Sequence, residues 1–149
     1  MTHRPGRGTR DRYGGPVLRI SRSAHLQMLG HAISGLPNEA CGLMGGPWGQ
    51  GLVEVFVPTR NADASAKTYS IGPDGFAAAD AALGPRGLDV VGVMHSHTHT
   101  DPYPSPTDVA QAPDPSWFYV IVSLKREAPE ARCYRIVDGT VTEELIELV

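Results

Sequence analysis

The sequence predicts a mixed α/β fold, one domain with a single central sheet and helices packed against it. Three observations carry this reading. Apolar runs of strand length, Val90–Met94 and Trp117–Leu124, stand beside segments with helical spacing. Strand and helix segments alternate along the chain, which calls for crossover connections. Asp138-Gly139, between two extended segments, is a strong hairpin turn and adds an antiparallel pair. A length of 149 residues suits one domain, and 41% hydrophobic residues suffice for one core.

Each element follows from its local chemistry. Residues 1 to 15 are rich in glycine and polar groups and carry Arg4, Arg7, Arg10 and Arg12. They read as a flexible N-terminal tail, either a basic arm for an acidic partner or a solvated end without a role. The domain is expected over residues 16 to 149. Val17–Ile20 is a short strand. Ser21–Ser34 places Leu26, Met28, Leu29 and Ile33 at near-helical spacing, with Ser21 or Ser23 as cap and Gly35 as stop. Ala40–Met44 is a short apolar strand ended by Gly45-Gly46-Pro47. Leu52–Val57 alternates, and Thr68–Ile71 is a further expected strand. Pro73–Leu83 is alanine-rich and helical, stopped by Gly84-Pro85. Asp89–His97 is a buried strand. Residues 98 to 104 contain too much proline for regular structure, and Ser105–Ala112 is a short helix. Trp117–Leu124 is a strand, and Ala131–Val137 with Thr140–Val149 makes the hairpin.

Bulk properties narrow the function. A net charge of −3 gives no reason to expect nucleic acid or an anionic membrane as partner. No apolar stretch is long enough for a membrane helix, and no apolar segment follows the N-terminal arginines as a secretory signal requires. Cys41 and Cys133 are far apart in sequence and suit a reducing compartment, so the cytoplasm is expected.

The informative stretch begins with His95-Ser96-His97. Alternate residues of a strand point to one face, so both imidazoles can converge on one ion. Asp108 brings a third donor from the first turn of the next helix. Three protein ligands leave a fourth position for water, the layout of a catalytic zinc site. Plain accounts exist for each residue alone. Ser105-Pro106-Thr107-Asp108 reads as N-cap, N1 and N3 of a helix, with Asp108 favoured by the helix dipole whether or not metal binds. Glu39 reads as a loop carboxylate, and His99 as an exposed loop residue beside the site.

Taken jointly, H-x-H, seven residues, S-x-x-D and an upstream glutamate resemble the JAMM signature of MPN-plus metallopeptidases. Glu39-Ala40-Cys41-Gly42-Leu43 resembles that family's E-x-C-G-L strand entry. The resemblance implies a single MPN (JAB) domain with one zinc ion per chain on His95, His97 and Asp108. It implies Glu39 as general base and acid and Ser105 as oxyanion donor. Within the family, Tyr119–Ser123 and Tyr134–Glu144 (YRIVDGTVTEE) look like the bacterial Mec-type CysO–cysteine peptidases. That implies a hydrolase cleaving the amide after the Gly-Gly terminus of a small ubiquitin-like sulfur-carrier protein. It would release cysteine or a short extension, in sulfur transfer or cysteine biosynthesis. Gly42, Thr98, His99 and Tyr103 are the expected substrate contacts, in a slot between the Gly42–Gly46 strand and the 98–103 loop. An isopeptidase on a ubiquitin-like modifier joined to lysine, a non-catalytic MPN scaffold and a homodimer stay open.

Overall fold

The computed structural model describes Thr9–Arg10 and residues 16 to 149. The expected N-terminal tail otherwise lies outside the described residues. The strands are β1 (Thr9–Arg10), β2 (Pro16–Ile20), β3 (Cys41–Gly46), β4 (Leu52–Val53), β5 (Val55–Thr59), β6 (Asp89–His97), β7 (Phe118–Ser123), β8 (Glu130–Val137) and β9 (Thr140–Leu148). The helices are α1 (Arg22–Gly35), α2 (Pro73–Leu83) and α3 (Pro106–Ala110). The sheet order is β1-β2-β9-β8-β7-β6-β3-β5, with β4 pairing β2. It is mixed, since β6–β7 and β2–β9 are parallel and β3–β6, β7–β8 and β8–β9 antiparallel.

Apolar residues on both faces make the central strands two-sided. On one face Met44, Met94, Val120 and Val122 pack with Ala24, Met28 and Ala32 of α1. On the other, Leu43, Val93, Tyr119 and Ile121 pack with Ala79 and Leu83 of α2. Truncating a fully buried side chain such as Met94 would cost about 2–5 kcal/mol.

Four details depart from the sequence reading. α1 forms with Ser21 as its cap, the Ser21 hydroxyl accepting from Ala24 N at 3.1 Å. Its buried stripe, however, is Ala24, Met28 and Ala32, while Leu26 and Ile33 are exposed. Met28 anchors this stripe between two alanines, and Leu26 and Ile33 fall on the outer side. The Leu52–Val57 strand is broken at Glu54 into β4 and β5, and Phe56 and Val57 are buried on opposite faces. Thr68–Ile71 is not a strand but part of an irregular loop. Gly42 is packed beneath Phe56, whose ring would lie 2.4 Å from an added Cβ.

The element that positions the site is β6. Its register with β3 shifts between Met44 and Gly45, so Met44 faces Gly92 and Gly45 faces Val90. From Val93 onward the strand alternates strictly. Val93 packs on the α2 side and Met94 on the α1 side. The same alternation turns His95 and His97 to the α2 side and Ser96 away from it. α3 lies in the crossover between the parallel strands β6 and β7, at the carboxyl end of β6.

Candidate metal centre

The side chains of His95, His97 and Asp108 meet at the end of β6. His95 Nε2 and His97 Nε2 stand 3.2 Å apart, and each is 3.1 Å from Asp108 Oδ2. Ligands bound at about 2.0–2.1 Å in a tetrahedron are separated by about 3.3–3.4 Å, so this triangle is the size such an ion requires. His95 and His97 are buried.

The surroundings aim these atoms. His97 Nδ1 lies 2.8 Å from the Asp101 carbonyl oxygen, which can only accept, so Nδ1 carries the proton. The neutral ring then turns a lone pair at Nε2 toward an Asp108 oxygen that is also an acceptor. Lone pairs converging in this way call for a proton or a metal ion between them. Tyr69 stacks on His95, with centroids 4.3 Å apart and planes at 17°. Asp108 is fixed by a capping box. Ser105 N donates to Asp108 Oδ2 at 2.9 Å, and Asp108 N donates to Ser105 Oγ at 3.0 Å. The cap and the metal arrangement are therefore the same geometry rather than alternatives. With its oxygen accepting from Asp108 N, the Ser105 hydroxyl keeps its own proton free to donate.

Burial and hydrogen bonding shift each of these groups. Burial pushes the His95 imidazole below its ordinary value, which favours the neutral ligand form. Burial also opposes His97 protonation, but the contacts with Asp108 and the Asp101 carbonyl outweigh it and raise that ring. Burial disfavours the Asp108 carboxylate as well, yet hydrogen bonds with both histidines hold it well below the usual carboxylate range. Glu39 behaves oppositely. Burial, helped by the charges of Asp108 and Asp63, pushes its carboxyl up to about 7. Its Oε1 is buried without a hydrogen-bond partner among the described residues. A carboxyl that titrates near neutrality can both accept and return a proton.

Two openings flank the three donors. One, of about 470 Å³, is lined by Glu39, Lys67, His97, Thr98, His99 and Ser105 among others. The other, of about 200 Å³, is lined by Tyr69, Ile71, Phe76, Trp117 and Asp108 among others. Thr98 and His99 thus stand where substrate contacts were expected, and Gly42 and Tyr103 do not. Gly42 pairs with Met94 and so lies on the face away from the histidines. Tyr103 packs edge-on against Tyr134 and borders a separate charged cleft with Arg126 and Arg132.

Sequence reasoning missed three positioning residues. Tyr69 was hidden in an expected strand. Asn61 ties the 61–70 loop together, its amide nitrogen donating to the Glu39 and Thr68 carbonyls at 3.0 Å and its oxygen accepting from Asp63 N and Ser70 N. An asparagine whose side chain caps the backbone two residues on is a readable turn signal. Ser96 Oγ accepts from Ala40 N at 2.7 Å and Ser96 N donates to Ala40 O at 2.9 Å, beside Glu39. Cys41 and Cys133 are buried free thiols, both pushed up by burial, and neither suits a nucleophile.

With this geometry in place, similarity to known proteins becomes informative. A family model for prokaryotic homologs of the JAB domain matches residues 21–137. The chain is 40% identical to the CysO-cysteine peptidase of Mycobacterium tuberculosis over 134 residues, 89% of this chain and 92% of that one. It is 32% identical to the desampylase of Haloferax volcanii over 111 residues, 71% and 80% of the two chains. A solved structure from Desulfitobacterium hafniense superposes with a TM-score of 0.81 at 35% identity, covering 89% and 92%.

Proposed function

Since the chain belongs to the family of prokaryotic homologs of the JAB domain and has peptidase relatives, we propose that it is a zinc-dependent peptidase of the JAMM type. Its substrate is a small ubiquitin-like sulfur-carrier protein, and the bond cut is the amide after the carrier's Gly-Gly terminus. The product released is cysteine or a short C-terminal extension. The observation that carries this reading is the convergence of His95 Nε2, His97 Nε2 and Asp108 Oδ2 beside the Glu39 carboxyl. The CysO-cysteine peptidase likeness over 89% of the chain supports the substrate class.

His95, His97 and Asp108 would hold the zinc. Bound there, the ion would act as a Lewis acid and lower the pKa of a water from 15.7 to about 7. The rest falls to the chain's own groups. Glu39, with a carboxyl near neutrality, takes the proton from the attacking water and returns it to the leaving amine. The Ser105 hydroxyl donates to the oxygen on which negative charge develops, a contribution of about 10²–10³ in rate. Because Glu39 opens into the larger cleft, the leaving amine belongs on that side. The Gly-Gly tail then lies toward the aromatic-lined opening at Tyr69, Ile71 and Trp117. Two buried unpaired thiols suit a cytoplasmic setting.

A second reading is cleavage of a ubiquitin-like modifier from a lysine, favoured by the 32% identity to a desampylase. Mass spectrometry of carrier conjugates with Gly-Gly-Cys and Gly-Gly-lysine junctions separates the two. The proposal expects loss of cysteine from the first, stopped by a chelator and restored by zinc. Turnover of the lysine conjugate alone would establish the second reading instead.

A further inference from the structure

The cleft that holds Glu39 is bordered by a basic residue with no assigned work. Lys67 borders it together with Thr98 and His99. Its backbone is anchored, since Lys67 N donates to Ser65 Oγ at 3.0 Å and the adjacent Ala66 carbonyl accepts from Thr98 Oγ1 at 3.3 Å. Asn61 holds the next carbonyl, that of Thr68, at 3.0 Å. Lys67 is exposed and takes part in no ion pair among the described residues. By contrast, the lysine and arginines of the β6–β8 region, Lys125, Arg126, Arg132 and Arg135, are each paired with a carboxylate.

We propose that Lys67 is a specificity-determining residue that receives the free α-carboxylate of the residue being released. This deepens the peptidase reading and rests on it. When the amide after Gly-Gly is hydrolysed, water supplies hydroxyl to the glycyl carbon and a proton to the departing nitrogen. Glu39 delivers that proton, so the departing nitrogen must stand in the Glu39 cleft. In a single C-terminal residue the carboxylate is two bonds from that nitrogen, and it enters the same cleft. The cleft already contains the Glu39 carboxyl, so a second carboxylate there needs a cation, and Lys67 supplies one. An isopeptide-linked lysine brings only methylenes next to the nitrogen and makes no use of Lys67. The residue thus favours removal of one terminal amino acid over cleavage of a side-chain conjugate or an internal bond.

The test compares a carrier ending in Gly-Gly-Cys with the same carrier ending in the cysteine carboxamide. For the zinc-loaded full chain, kcat/KM should favour the free carboxylate by about 10- to 100-fold, mainly through KM. Lys67→Met should collapse that ratio to near one, and Lys67→Arg should restore part of it. A wild-type ratio near one, or a ratio unchanged in Lys67→Met, overturns the assignment while leaving the peptidase reading intact. Cleavage of neither substrate by the zinc-loaded wild type overturns the peptidase reading and the inference with it.

Discussion

Ser96 holds Ala40 by both of its backbone groups, at 2.7 Å through the side chain and 2.9 Å through the main chain. The residue between the two candidate histidine ligands therefore locks the chain next to Glu39. Strand alternation produces this arrangement, because the side chain that points away from the histidines is the one free to reach the residue that leads into β3. One strand end thus fixes both the donor atoms and the carboxylate that works beside them.

Ser96→Ala should leave the Ala40 amide buried and unpaired, at a cost of about 1–3 kcal/mol in denaturant unfolding. Glu39 loses its fixed position, so kcat should fall by about 10²-fold while one zinc per chain is still bound. Full activity at reduced stability would show that Ser96 does not position Glu39.

Glu39→Gln should have opposite effects on rate and on stability. Turnover should fall by about 10²–10⁴. In metal-free protein, a carboxyl raised from 4.5 to about 7 binds its proton more tightly folded than unfolded. Its ionisation therefore subtracts stability progressively as pH rises from 4.5 to 7, and the loss is constant above 7. The variant should be more stable than wild type by about 1–3 kcal/mol at pH 8, with the gap closing toward pH 4.5. Chemical denaturation across that range measures it, and a gap that widens on acidification would contradict the sign.

Ser105 has two roles that substitutions can separate. Ser105→Ala removes the cap of α3 and should cost about 1 kcal/mol, whereas Ser105→Gly should cost only a few tenths. Both lack the hydroxyl donor and should lose about 10²–10³ in kcat. Rates that follow the stability difference between the two variants would assign Ser105 to the cap alone.

Tyr69→Phe should retain zinc affinity, because the ring that stacks on His95 is kept. Tyr69→Ala should weaken it by about 10-fold or more, as removal of a group that orients a ligand does. Competition with a chelator of known affinity reads both variants.

Much of the site was legible in the sequence because its signals are local. A period of two puts His95 and His97 on one face, and Ser105-Pro106-Thr107-Asp108 specifies a helix start whose N3 carboxylate is one of the donors. α2 and β6 have the expected bounds for the same reason, each being bracketed by its own stop signals. At the turn of the β8–β9 hairpin, Asp138 and Gly139 both adopt positive φ, 49° and 77°. What escaped depends on side-chain contacts that composition and periodicity do not encode. Thr68–Ile71 has the composition of a strand, but Asn61 and Ser65 bind its backbone in place of a ladder. Gly42 was expected to face a substrate slot, and its register against Met94 turns it the other way. Tyr103 is drawn aside by Tyr134, whose hydroxyl donates to the neighbouring Pro102 carbonyl. Lys67 has no local signature at all, because only the fold of the 61–70 loop brings it beside Glu39.

The proposed zinc ion sits among His95 Nε2, His97 Nε2 and Asp108 Oδ2. X-ray absorption at the zinc edge of the loaded protein tests it most directly. The expected spectrum shows one zinc per chain in a shell of nitrogen and oxygen at about 2.0–2.1 Å, with the multiple-scattering signature of two imidazoles that is reduced to one in His97→Ala. A sulfur neighbour at about 2.3 Å, or a wild-type spectrum unchanged in that variant, would contradict it.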